Sequence, residues 1–97
     1  MSRPRLRRRI CFSPRAKFYK PRGIPLRQLD IVTLFSDELE AFRLIDHQGL
    51  DQEGAAKQMQ VSRITVQRIY KLARKKIAKA LVEGKAIKII NLEKGGE

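Results

Sequence analysis

The spacing of apolar residues between Gln52 and Lys71 is the tightest constraint on what this chain can fold into. Ala55, Met59, Val61, Val66 and Ile69 recur at the intervals that two short crossed helices bury, and the small Ala56 stands where such helices approach most closely. A period near 3.6 argues for amphipathic helices rather than strands. Asp51 is placed to cap the first helix, which is expected to run to about Met59. Gln60–Val61 makes the turn. Ser62 then precedes the second apolar run, where a hydroxyl at the N-cap satisfies free backbone N–H groups.

From Arg63 the helical pattern continues to about Glu83 and meets Gly84, giving a helix roughly 30 Å long. Advancing ~100° per residue divides it into two faces. Val66, Ile69, Ala73, Ile77 and Ala80 fall on one side and are expected to pack against the preceding helices. Ile64, Gln67, Arg68, Lys71 and Lys75 fall on the other. Two crossed helices whose second member exposes amide and basic groups form a helix-turn-helix, and such a face suits the major groove of duplex DNA. Gln67 has the geometry to pair with adenine N6/N7, and Arg68 with guanine O6/N7. Ile64 makes sense against a thymine methyl, and Lys71 completes the candidate base contacts. Ser62 and Arg63 at the helix start, with Arg74 and Lys75 one turn beyond Lys71, are placed for backbone phosphates.

Upstream, Leu39, Phe42 and Ile45, flanked by Ala41 and Leu44, predict another helix from Ser36 to about His47. Ser36 reads as its N-cap, Asp37 and Glu38 favour its positive end, and Gly49 is its expected stop. Leu29–Phe35, Arg9–Phe12 and Ala86–Ile90 each read as short strands, the last with the Ile10 region as a possible partner. All four prolines lie in residues 1–28, so that stretch is expected to be mostly extended arm and loop. Phe18 and Tyr19 read there as an apolar anchor on the core, the alternative being stacking on single-stranded bases.

Charge is distributed in blocks along the 97 residues. Residues 1–29 carry ten basic and no acidic side chains, residues 30–60 two basic against seven acidic, and residues 61–97 ten basic against three. A net charge of +12 sorted this way describes a polarised molecule with two positive surfaces for one polyanion. Arg3, Arg5, Arg7, Arg8 and Arg9 form a basic N-terminal arm suited to the backbone or the minor groove. No run approaches the ~20 apolar residues of a membrane helix, and Ile10–Phe12 is too short for a signal-peptide core. A cytoplasmic, nucleoid-associated protein is expected.

Nothing in the residues suggests catalysis. Cys11 and His47 occur once each and far apart, so no metal-ligand spacing exists and no cofactor or metal is expected. His47 suits a helix C-terminus. Cys11 reads as a small apolar residue, with a thiolate activated by neighbouring arginines as the alternative. Asp37, Glu38 and Glu40 are better explained by a helix N-terminus than by a cation. No phosphate-binding glycine loop appears.

Gln52-Glu53, Ala55-Ala56, Val61-Ser62-Arg63 and Thr65-Val66 resemble region four of bacterial sigma factors, a helix-turn-helix that reads promoter DNA. Over residues 3–90 the chain is similar to a small prokaryotic family described as predicted DNA-binding proteins of unknown function. Arg3-Pro4-Arg5, Arg8-Arg9, Phe18 to Pro21 with Gly23 and Pro25, Glu38-Leu39-Glu40-Ala41, Arg43-Leu44 and Ala80 to Ala86 carry that similarity. The resemblance implies a sequence-reading DNA-binding protein with Ser62–Lys71 as its recognition segment. Gly54 departs from a helix-favouring position, and Gln60 replaces the glycine common in such turns, which requires tolerance of a strained backbone.

The expected architecture is mainly α, a helix-turn-helix domain of sigma region-four-like or winged-helix-like form with short β-strands from both tails. Residues 1–28 are the basic arm and loop. Residues 29–90 are the DNA-binding domain, with motif 51–71 and recognition helix 62–83, and residues 91–97 are a flexible tail. The expected function is sequence-specific binding of double-stranded DNA in transcriptional regulation, as a homodimer, because one such unit reads few base pairs. Two alternatives stand beside it. One is a non-specific architectural DNA- or RNA-binding protein. The other is an interaction module that meets RNA polymerase or another protein through the acidic helix Asp37–His47.

Overall fold

Every predicted helix ends at a residue whose chemistry stops or caps it. The computed structural model describes residues 18–91. The elements in chain order are β1 (Phe18–Tyr19), β2 (Ile31–Phe35), α1 (Ser36–Phe42), α2 (Gln52–Met59), α3 (Arg63–Glu83) and β3 (Ala86–Ile90). Asp51 Oδ1 accepts the Gly54 N–H at 2.7 Å at the head of α2. A Cβ on Gly54 would lie 3.1 Å from that same oxygen, so the glycine allows the cap to close tightly. Ser62 Oγ accepts the Thr65 N–H at 3.1 Å and caps α3. Gly84, at φ 70°, ends α3 in the left-handed conformation that glycine adopts without a Cβ clash.

α1 departs from expectation at its start, and its last turn is π-helical. Ser36 is its first helical residue rather than its cap, and Phe35 occupies the N-cap position. Phe35 has no side-chain acceptor, so the N-cap lacks a hydroxyl partner. The Glu38 carboxylate instead turns back to accept the Phe35 N–H at 2.9 Å. After Phe42 the helix widens into a π-helical turn over Arg43–His47, with the Gln48 N–H donating to the Arg43 carbonyl five residues back. The expected span to His47 is therefore helical, and Gly49, at φ 85°, terminates it.

The sheet has the order β1-β3-β2. β3 lies parallel to β2, with Ile31 opposite Ala86 and Phe35 opposite Ile90, and antiparallel to β1, with Phe18 opposite Lys88. The strand expected over Leu29–Phe35 begins two residues later, because Leu26–Gln28 form a 3-10 turn that leads into it. Phe18 and Tyr19 belong to the sheet, a role their place in a proline-rich stretch did not suggest. The Arg9–Phe12 strand, the Ile10 pairing, the arginine arm, Cys11 and the glycines of the tail lie outside the described residues. Lys85 Nζ meets Asp30 Oδ2 at 3.0 Å and the Ala86 N–H meets the Asp30 carbonyl at 2.9 Å, which fixes the start of the parallel pair. Lys85 holds the Asp30 carboxyl below its ordinary range, chiefly by that hydrogen bond, and Asp30 raises the Lys85 ammonium in return.

Two apolar clusters share α3. Ala41, Leu44, Ala55, Ala56, Met59, Val66 and Ile69 form the first, with Val61, Ile45 and Leu50 packed against it. This is the core the motif predicted. Leu34, Ala73 and Ile89 form the second, with Leu39, Phe42, Ile77 and Ile87 around them, and it joins the sheet to the later turns of α3. Among the described residues no helix is long and apolar enough to cross a membrane.

The acidic residues of α1 are not a surface feature. Asp37, Glu38 and Glu40 are 0%, 1% and 1% exposed. Lys76 Nζ reaches both Glu38 oxygens at 2.8 and 3.0 Å and lies 4.8 Å from the centre of the Phe35 ring. Arg43 grips both Glu40 oxygens at 3.0 Å through Nε and one Nη group.

Lys76→Met leaves the Glu38 carboxylate buried without its cation. Because the lysine itself is partly exposed, the loss is expected at about 2–3 kcal/mol, below that of a wholly buried pair, in denaturant unfolding. Gln60 sits between α2 and α3 at φ 59°, ψ 45°, a conformation that costs a residue bearing a Cβ. Gln60→Gly is expected to stabilise the domain by about 0.5–1 kcal/mol and to raise the thermal midpoint by a few degrees, read by circular dichroism.

Candidate nucleic-acid interface

The same helical period that buries Val66, Ile69, Ala73 and Ala80 turns the opposite face of α3 outward. Ile64, Gln67, Arg68 and Lys71, the candidate base contacts, are all exposed on that face, Ile64 to 65%. From Ile64 to Lys71 the helix rises about 10 Å, which fits a major groove about 12 Å wide. Ser62, Arg63, Arg74 and Lys75, the candidate phosphate contacts, are exposed as well. The Ser62 hydroxyl is occupied locally, capping Thr65 and bonding its hydroxyl at 2.9 Å.

Two shallow depressions organise this face. Arg68, Lys71, Leu72 and Lys75 line one. Gln52, Gln67, Tyr70, Lys71 and Arg74 line the other, which brings the first residue of α2 beside the middle of α3. Arg74 is already engaged there. Its Nε lies 3.4 Å from Asp46 Oδ2, and its guanidinium carbon lies 5.6 Å from the centre of the Tyr70 ring. The Tyr70 hydroxyl donates to Asp46 Oδ1 at 2.9 Å. Burial, followed by the Asp46 carboxylate, raises the Tyr70 phenol above its ordinary value, and Arg74 partly opposes the shift.

The cations of α3 are thus sorted. Lys76 points inward to Glu38 and Arg74 turns sideways to Asp46, both partners supplied by α1 and its π turn. Arg68, Lys71 and Lys75 stay on the outer face. Sequence reasoning missed Gln52, Asp46 and Tyr70 as neighbours of the candidate face, because Asp46 lies 24 positions from Tyr70 and 28 from Arg74 and meets them only after α1 packs on α3. The helical period did carry one signal for Lys76, which stands at the edge of the buried stripe. The arm residues Arg3, Arg5, Arg7, Arg8 and Arg9 lie outside the described residues.

A three-helix core with an α2–turn–α3 helix-turn-helix and a small sheet closing its ends defines the class of this domain. The chain belongs to the family described as "Protein of unknown function DUF134", which it matches over residues 1–97. A relative from Halothermothrix orenii, named "UPF0251 protein", is 49% identical over 91% of this chain and 65% of its own length. One from Moorella thermoacetica with the same name is 51% identical over 92% of this chain and 60% of its own length. One from Vibrio cholerae El Tor Inaba, named "UPF0251 protein VC_A0091", is 51% identical over 92% of this chain and 91% of its own length. The chain therefore spans less than two thirds of the first two relatives and most of the third. No solved structure matches it significantly.

Tyr70 reports on the packing beside this face. Its raised value means that folding favours the neutral phenol, a contribution fully present below about pH 10 and lost as pH rises through the folded-state value. In Tyr19→Phe, where Tyr70 is the remaining tyrosine, ultraviolet titration is expected to show phenolate forming above the ordinary range. Adding Asp46→Asn should move that titration downward only in part, because burial is the larger cause.

Proposed function

We propose that this chain is a sequence-specific duplex DNA-binding protein acting in transcriptional regulation, with α3 entering the major groove and the basic arm following the backbone or minor groove. The observation that carries the reading is the division of α3. Val66, Ile69, Ala73 and Ile77 lock into two cores, while Ile64, Gln67, Arg68 and Lys71 share one exposed face about 10 Å long. Hydrogen-bonding amide and guanidinium groups beside an exposed isoleucine are the chemistry that distinguishes base edges, whereas charge alone needs only lysines. A homodimer is the fitting assembly, since two copies double the base pairs read and match a palindromic site. Cytoplasmic, nucleoid-associated action follows from this reading.

Non-specific binding to DNA or RNA remains the competing outcome. Burial of Asp37, Glu38 and Glu40 within the chain counts against the third reading, in which an acidic helix meets RNA polymerase.

Selection of bound sequences from random duplex DNA at physiological salt is expected to enrich a palindromic motif. Recovery without enrichment, or preference for single strands or RNA, would sink the sequence-reading proposal. Gln67→Ala and Arg68→Ala should each cost about 1–3 kcal/mol on the enriched site and relax preference at particular bases. Equal weakening on all sequences would instead assign those side chains to the backbone.

A further inference from the structure

The flank of α3 nearest α2 holds an arginine already oriented before any ligand arrives. We propose that the groove between the start of α2 and the middle of α3 seats one backbone phosphate of the duplex, taken by Arg74 and Gln52, with Tyr70 and Asp46 positioning Arg74. This rests on the duplex-binding reading of the same helix and adds Gln52, Tyr70 and Asp46 to it.

Three observations carry the proposal. Gln52, Gln67, Tyr70, Lys71 and Arg74 line a single depression. Arg74 uses its Nε toward Asp46 and rests near the Tyr70 ring, while its side chain remains 61% exposed. A guanidinium has five N–H donors in a fixed fork, so an arginine that faces Asp46 through Nε and stays 61% exposed still presents donors to a tetrahedral anion. Arg74 also stands one turn beyond Lys71 and round toward α2, off the centre of the base-reading face. With that face on the groove floor, its flank meets the phosphate wall. Asp46 would repel phosphate if bare, but the Tyr70 hydroxyl and Arg74 both bind it, at 2.9 and 3.4 Å. An arginine held by a carboxylate and a ring loses less rotamer freedom on binding than a free one.

The test uses the full chain and its selected duplex, with methylphosphonate replacing one phosphate at a time. The wild-type protein is expected to lose about tenfold in affinity at one position per half-site, the size of a charge-assisted hydrogen bond. Its plot of log affinity against log salt should flatten there by about 0.9. Arg74→Gln should lose as much on unmodified DNA, lose clearly less than the wild type when that phosphate is replaced and keep the same preferred sequence. Asp46→Asn retains an acceptor for Tyr70 but not the ion pair. It should weaken the wild type severalfold and change nothing in the Arg74→Gln background, a coupling that a merely structural role would not produce.

If Arg74→Gln is as sensitive as the wild type to every modified phosphate, the seat is wrong. If Asp46→Asn tightens binding whether or not Arg74 is present, Asp46 acts only as a repelling charge and the positioning role falls. Wild-type binding with a preferred sequence but no Arg74-dependent phosphate overturns the seat alone. Absence of duplex binding overturns the seat together with the reading beneath it.

Discussion

The Glu38 carboxylate is the interaction on which the rest of the domain hangs. It accepts the Phe35 N–H at the corner where β2 becomes α1 and takes the Lys76 ammonium from the middle of α3. That lysine also lies over the Phe35 ring. One buried carboxyl group thus ties a strand end, a helix start and the long helix together. A carboxylate that is 1% exposed survives only because both oxygens are bonded, one of them twice, and the charge is matched.

α3 is the part that both cores need. Its early turns complete the cluster formed with α1 and α2, and Ala73 and Ile77 join the cluster with the sheet. Burying one stripe along 21 residues leaves the opposite stripe outside along the same length. The exposed face is thereby backed along its length by two packed clusters. Carboxylates from α1 and its π turn take Lys76 and Arg74, while Arg63, Arg68, Lys71, Lys75 and Lys79 are exposed on the helix.

Local rules made much of this legible. Asp51, Ser62, Gly49 and Gly84 mark helix ends because capping and left-handed backbone depend on one residue and its near neighbours. The candidate contact residues were readable for the same reason: helical period alone assigns Ile64, Gln67, Arg68 and Lys71 to one side. Ser36 was misjudged because a serine before an apolar run is a good cap in isolation, whereas the demand of Glu38 for the Phe35 N–H moved the boundary by one residue. Phe18 and Tyr19 were harder still. Two residues carry no period, and their strand exists because β3 offers a partner nearly 70 positions away.

The chain by itself determined the helices, the caps of α2 and α3, the turn at Gln60–Val61 and the faces of α3, since each depends on contacts within a few residues. It also determined family membership, which reads the order of landmarks and not their geometry. Only the tertiary structure decided that the acids of α1 are buried, that β3 lies between β1 and β2, and that Asp46, Tyr70 and Arg74 meet beside Gln52. The physical reason is distance along the chain. A carboxylate is solvated or buried according to which cation, tens of residues away, folding brings to it, and no local pattern encodes that pairing.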